Sequence, residues 1–389
     1  MFLNHYHLHL NAFKNKEIDS LYFTSALITF ASGLISIFEP IYLWELGFEI
    51  WQIILFFLLR SAYFVALLFL VVPLIKKLSD KMMMALGIPF LVLYFFGLSF
   101  LGQVPELFYI LPAIFPLFGI LYFLGYHTDF SSASDGNHIG EEAGTGMAIN
   151  SFVKFASPFI GGILIGFFGF NSSFLVASII LIISIIPLFF FPRRKIQSDL
   201  SLKAILNNAF YRNKKFSISS LGYANEKMVD FLIWPLFIFI AIGSIEQLGG
   251  IISLGLLAGG IATMASGVLS DKGKDKEIIS FGSMAMALVW FLRTFIFRPF
   301  FIVFSQAFYY IFSSAVLASW VSDYYKLAGK SVSLGAFIMS QEFIYNLSRV
   351  FILGILTLLA FILPQETFFI SAFIIAGLLS FLYIFANKK

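Results

Sequence analysis

The chain has 389 residues, of which 60% are hydrophobic and only 12% charged, about half the charged share of an ordinary soluble domain. A globule of this size needs a polar exterior, so a single soluble domain, a disordered chain and a nucleic-acid binder are excluded. The net charge is +4 and Cys is absent, which removes disulfides, thiolate metal sites, iron–sulfur clusters and Cys nucleophiles.

A helix that crosses a bilayer needs roughly 20 mostly apolar residues. In chain order such stretches lie at 20–43, 51–75, 82–102, 106–128, 144–169 and 171–192. After a polar interval they resume at 219–243, 246–269, 277–297, 299–322, 332–361 and 366–386. The sequence therefore predicts an all-α membrane protein with twelve transmembrane helices: an N-terminal half at 1–192, a connector at 193–218 and a C-terminal half at 219–389. The hydropathy does not alternate with period 2, which argues against an outer-membrane barrel. The first span starts too late and runs too long for a cleaved secretory signal. The connector reads PRRKIQSDLSLKAILNNAFYRNKKF from Pro192. Its basic character suits a cytoplasmic loop with one amphipathic helix lying on the membrane surface.

Lys and Arg set the orientation. With both termini in the cytoplasm, twenty of the 25 Lys and Arg fall in cytoplasmic segments. The other five, Arg60, Lys154, Arg293, Arg298 and Arg349, lie within or at the edges of spans, and the opposite loops carry Glu45, Glu49, Glu106, Glu246 and Glu366.

The two halves repeat one pattern. Leu78-Ser79-Asp80-Lys81 after the second span returns as Leu269-Ser270-Asp271-Lys272 after the eighth. Gly140 and Gly146 return as Gly329 and Gly335, and Ser134-Asp135 as Ser322-Asp323, all at offsets of 188–191 residues. Such landmarks at nearly one offset mark an internal repeat.

Twelve spans, a basic central loop and an Asp-Lys loop after spans 2 and 8 resemble the major facilitator superfamily. The run Gly267-Val268-Leu269-Ser270-Asp271-Lys272-Gly273-Lys274-Asp275-Lys276 fits that family's loop pattern of Gly, Asp, basic, Gly and basic residues. The first copy departs from it, with Lys76 in place of the leading Gly and Met82–Met84 in place of the polar tail. The resemblance implies two pseudo-symmetric six-helix bundles that rock about a central cavity. It also implies a monomer in the plasma membrane, which in a bacterium is the inner membrane. Spans 1, 4, 7 and 10 would line the cavity, with 2, 5, 8 and 11 beside them. Asp80, Lys81, Asp271 and Lys272 are the expected gating residues, whose ion pairs would hold the cytoplasmic side shut; the alternative is a topology anchor with solvated charges. Two GxxxG pairs, Gly162 with Gly166 and Gly255 with Gly259, would let spans 5 and 8 pack closely between the halves.

An ionisable group at bilayer depth costs roughly 3 kcal/mol or more unless it faces a cavity or a partner. The candidate substrate- and ion-binding residues follow: Glu39, Arg60, His127, Asp129, Lys154, Asp230, Glu342, Asn346 and Arg349, with Trp234 to stack on cargo. Glu342 and Arg349 are seven residues apart, on one helical face. Glu342 and Glu39 are the expected proton- or ion-responsive groups, since a buried carboxylate is a charge that its surroundings can switch. Lys154 could face Glu342 across the cavity, and the competing reading is a static salt bridge from Glu342 to Lys154 or Arg349. Glu226 and Asp230 could join an inner gate, unless span 7 starts later and leaves them at the interface.

His5, His7 and His9 alternate with Tyr6, Leu8 and Leu10, which reads as an interfacial tail rather than a metal site. No nucleotide-binding, Ser–His–Asp or HExxH pattern occurs, so no cofactor or catalytic residue is expected. The function expected is secondary active transport of a small solute by alternating access, coupled to protons. The partners expected are that solute, protons and the lipid bilayer, without nucleic acid. The alternative is a polytopic receptor or assembly partner that transports nothing.

Overall fold

A computed structural model describes residues 15–75, 78–134, 139–191, 200–270, 274–296, 299–331 and 333–387. All its regular elements are helices. Asp271 and Lys272, like Asp135 and the three N-terminal histidines, lie outside the described residues. Among those residues, ten helical runs are long and apolar enough to cross a membrane. They correspond to spans 1–6, 8 and 10–12. The remaining two expected spans are helical as well. Lys214–Met228, Val229–Ile233 and Trp234–Ile242 together make span 7, and Asp275–Arg293 makes span 9. Span 7 is interrupted, and span 9 carries Asp275, Lys276, Glu277 and Arg293.

Local chemistry explains the irregularities. Span 1 is an α-helix over Lys16–Gly33 that breaks before a second helix, Glu39–Glu45. Pro40 has no N–H to donate and sits in that helix's first turn, where none is needed. In span 7, Pro235 cannot donate and would crowd the carbonyl four residues back. The chain answers with a π-turn over Val229–Ile233, in which the Trp234 N–H bonds to Val229 O, five residues back. The turn carries Asp230 and Phe231, so it re-aims both side chains.

Span 2 is Ile50–Ile75, span 3 Asp80–Leu98, span 4 Leu107–Ala133, span 5 Ile139–Phe168 and span 6 Phe170–Ile185 with a 3-10 turn beyond. Span 8 is Ile245–Ser270, span 10 Pro299–Gly329, span 11 Leu334–Ile362 and span 12 Gln365–Ser380 with a final 3-10 stretch, Phe381–Asn387. The ends of the bundle differ in charge. One end, here the basic end, carries Lys81, Lys274, Lys276, Lys326 and Lys330; the acidic end carries Glu45, Glu49, Glu106, Glu246 and Glu366.

Two expectations need correction. Span 7 begins at Lys214 rather than 219, so Glu226 stands well inside a helix and is fully buried. It is therefore no interfacial residue. The connector's helix, Leu202–Asn207, packs its apolar side on span 11 rather than leaving it free for a membrane surface. Leu200, Ile205 and Ala209 are buried in one apolar cluster with Ala336 and Met339 of span 11. A short helix with such an apolar face gains more from this shared core than from a headgroup layer.

The halves meet along two seams. Spans 2 and 11 pack along their length, with Trp51 edge-on to Phe361 at 5.6 Å and Phe69 edge-on to Phe343 at 6.0 Å. Spans 5 and 8 cross near the acidic end through glycine. A Cβ on Gly162 would stand 3.0 Å from Ile245 O and 3.4 Å from the Gly249 Cα, and one on Gly249 would stand 2.5 Å from Pro158 O. The span 5 GxxxG thus packs on span 8 as expected. Its partner there is the Ile245–Gly249 turn rather than Gly255 and Gly259, which instead admit Gln306, Tyr310 and Ser314 of span 10.

Candidate functional site

Two chambers are lined in part by spans 4 and 5. The deeper one has a volume of about 490 Å³ and is lined by spans 1, 4 and 5 of the N-terminal half, with Leu256 of span 8 from the other. The second, about 580 Å³, lies at the basic end between spans 4, 5, 10 and 11. His127, half-buried, lines both. Near the acidic end, spans 5 and 8 cross tightly through Gly162 and Gly249.

The deep chamber is polar on one side and aromatic on the other. Asn150 on span 5 accepts from Thr29 Oγ1 at 3.0 Å and donates to Ser25 Oγ at 3.3 Å. These bonds satisfy a polar side chain at bilayer depth by tying spans 1 and 5 together. Lys154, one turn further along, is exposed to the chamber. Facing them, span 4 presents Phe118, Tyr122 and Tyr126, and Phe130 continues the row into the second chamber. The spacing of four residues places these rings on one helical face. Successive rings stack at 5.2, 5.9 and 6.1 Å with interplanar angles of 15°, 24° and 25°.

The other predicted residues divide among three clusters. The first is in the N-terminal bundle toward the acidic end. Glu39 is buried, accepts from the Tyr94 hydroxyl and lies 3.5 Å from Arg60 Nη1. The Arg60 guanidinium is also held over Phe115 at 4.1 Å and Phe57 at 4.6 Å, with Phe231 of the span 7 π-turn at 6.0 Å. Rings on several sides recover part of the cost of taking the cation out of water.

The second cluster is at the basic end. Lys81 is 1% exposed, pairs with Glu17 of span 1 and lies 3.2 Å from Asp129 of span 4. Asp80 opens span 3 behind its Ser79 cap, and its Oδ1 accepts from the Lys81 N–H at 2.7 Å. These contacts join spans 1, 3 and 4 of one bundle. Asp129 is accordingly a structural partner of Lys81 and does not line either chamber.

The third cluster occupies the C-terminal bundle. Glu226 accepts from Trp290 Nε1 at 2.9 Å, from the Tyr383 hydroxyl at 3.0 Å and from the Tyr309 hydroxyl. Its carboxylate thereby ties span 7 to spans 9, 12 and 10. Lys227 lies 3.8 Å from the same carboxylate and donates to Tyr309 at 2.9 Å. Asp230 is buried beside Tyr310. Trp234 is wholly buried and donates to Gln306 Oε1 at 2.6 Å. Its ring lies between Phe237 at 5.4 Å and the Arg293 guanidinium at 3.7 Å. The expected cargo-stacking role therefore does not fit Trp234, whose faces are both occupied. Trp320 is likewise stacked, at 4.9 Å on Phe216 and 4.6 Å on Tyr223.

Glu342 and Arg349 are half-buried on span 11. No ion pair within 4 Å joins Glu342 to Lys154 or Arg349 among the described residues, so the static bridge is absent here. Arg349 Nε instead donates to Ala224 O at 3.3 Å, and the Asn346 amide donates to Glu342 O at 2.9 Å. Asn346 thus spends its amide on its own helix.

Sequence reasoning missed Arg293, Tyr94, Trp290, Tyr309, Gln306 and Tyr383 as partners. Arg293 had a visible signal, a cation well within an apolar span, but span 9 belongs to the periphery of the resembled fold. The Tyr and Trp partners had none, because aromatic residues are abundant along the whole chain.

No protein-family model matches the sequence, and no curated protein matches it. Solved structures do. A crystal structure of the nucleoside transporter NupG is similar with a TM-score of 0.70 at 14% identity, covering 96% of this chain and 99% of that one. A mutant of the same transporter gives 0.70 at 16% identity, covering 96% and 100%. The chain has the major facilitator fold. With ten helical runs long and apolar enough to cross a membrane among the described residues, it is a multi-pass membrane protein.

Proposed function

We propose that this protein carries a small solute across the membrane by alternating access, driven by protons, with the basic end facing the cytoplasm. The observation that supports it is the deep chamber. It bears polar and charged side chains, is lined by spans 1, 4 and 5 with Leu256 of span 8, and shares His127 with a second chamber at the basic end. Near the acidic end, spans 5 and 8 cross tightly through Gly162 and Gly249. A polar chamber that meets helices of both halves is what alternating access requires of a solute site.

Proton coupling is placed on Glu342. It is half-buried, has no ion-pair partner among the described residues, and stands on span 11, at the seam between the halves. Glu39 is the less suited of the two carboxylates, because Arg60 and Tyr94 already hold it. A solved structure of this fold is named a nucleoside transporter, so nucleosides belong in the solute panel with sugars, amino acids and organic acids. Purified protein in liposomes should accumulate one of these classes when an inward proton gradient is imposed. Glu342→Gln should abolish gradient-driven accumulation while leaving solute exchange intact. Gradient-driven accumulation at the wild-type level in that variant would refute the assignment of coupling to Glu342.

A further inference from the structure

We propose that the deep chamber selects a planar aromatic acid, with its carboxylate on Lys154 and its ring packed against the edges of the span 4 aromatic row. This deepens the transport reading and rests on it.

Lys154 carries the charge argument. It lies at bilayer depth, is exposed to the chamber, and makes no hydrogen bond or ion pair among the described residues. The other intramembrane cations among the described residues are engaged: Arg60 with Glu39, Lys81 with Glu17 and Asp129, Lys227 with Glu226, Arg293 with Gln306 and three rings, and Arg349 with Ala224 O. The deep chamber's lining contains Lys154 and His127 but no Asp or Glu. An uncompensated ammonium in a low-dielectric chamber is a binding site for an anion.

The ring argument comes from the opposite wall. Phe118, Tyr122 and Tyr126 cover one another's faces and line the chamber with their edges, and a planar π system packs against such edges in the edge-to-face arrangement that aromatic pairs favour. One ammonium without a neighbouring Arg suits a monoanionic carboxylate. A phosphate dianion calls for several donors in a fork. A volume of about 490 Å³ accommodates a one- or two-ring acid with water.

The test is calorimetric titration of the full-length protein in detergent near neutral pH. Quinoline-2-carboxylate is compared with its uncharged carboxamide, and benzoate with cyclohexanecarboxylate. Adenosine is the neutral aromatic control. The acid should bind at least about tenfold tighter than the amide, and benzoate tighter than its saturated analogue, as one charge-assisted contact and one edge-to-face ring contact require. Lys154→Met should remove the acid preference and Lys154→Arg should keep it. Equal binding of acid and amide by the wild type overturns the proposal without any variant. So does an unchanged acid affinity in Lys154→Met, or binding of adenosine with none of either aromatic acid. If acid preference fails while liposomes still take up some solute, transport stands and only the cargo class is wrong. If no solute is taken up while acid preference holds, the site stands and the transport reading fails.

Discussion

Replacing Glu226 with Ala should be the most damaging single truncation in the C-terminal bundle. The carboxylate is fully buried and accepts from Trp290, Tyr309 and Tyr383, each on a different helix. Removing it orphans three donors at once and leaves Lys227 without its 3.8 Å counter-ion. Hydrogen bonds between membrane helices are worth about 0.6 kcal/mol each, which sets a floor near 2 kcal/mol for the three. Orphaned buried donors cost about 1–3 kcal/mol each, which sets a ceiling near 9 kcal/mol. Relaxation and water entry bring the expected loss to about 3–5 kcal/mol. Glu226→Gln keeps an acceptor oxygen and should lose only about 1–2 kcal/mol. The assay is reversible unfolding in mixed micelles, read by Trp fluorescence, with both variants beside the wild type. An Ala variant within about 0.5 kcal/mol of wild type would refute the reasoning, because three buried donors would then have found other partners.

Other perturbations follow from the same geometry. Lys81→Met should destabilise by about 3–5 kcal/mol because it strands the fully buried Asp129, and adding Asp129→Asn should recover a good part of that, measured by the same unfolding assay. Gly249→Val places its Cβ 2.5 Å from Pro158 O, so spans 5 and 8 must part near the acidic end. The expected cost is about 1–3 kcal/mol, and a reactive thiol placed at Ser36 in the chamber should become more accessible from the acidic side. Glu39→Gln keeps an acceptor for Tyr94 but removes the charge opposite Arg60, which should cost about 1–3 kcal/mol; Glu39→Leu should cost more, since it orphans both partners.

The helical architecture was legible from the sequence because a bilayer imposes one strong rule, a run of about 20 apolar residues per crossing. The repeat showed through residues that a helix end needs, such as Ser79 at a cap and Asp80 in a first turn. The limits of span 7 were not legible. Lys214 to Ile218 reads as part of the polar connector, yet it is helix, with Phe216 buried and stacked on Trp320 of span 10 and Ser217 donating to Ala209 O. The charged candidates were found as a set and sorted poorly. An isolated sequence shows that Asp129, Lys154 and Trp234 are unusual at that depth. It cannot show that Lys81 claims the first, that no described side chain claims the second, or that Arg293 and Phe237 cover both faces of the third. Those facts depend on helix rotation, which hydropathy does not encode.

The chain has no Cys, so paired spin labels can be placed without background. Met147 and Tyr325 line opposite walls of the basic-end chamber, and both are exposed. Phe168 and Gln247 are exposed on spans 5 and 8 at the acidic end. Distances within each pair, measured by double electron–electron resonance in lipid nanodiscs with and without solute and at two pH values, read both ends of the bundle. Alternating access predicts that the first pair closes as the second opens, with the two populations changing in opposite senses. A single fixed distance at both ends under every condition, or both pairs moving in the same sense, would contradict it.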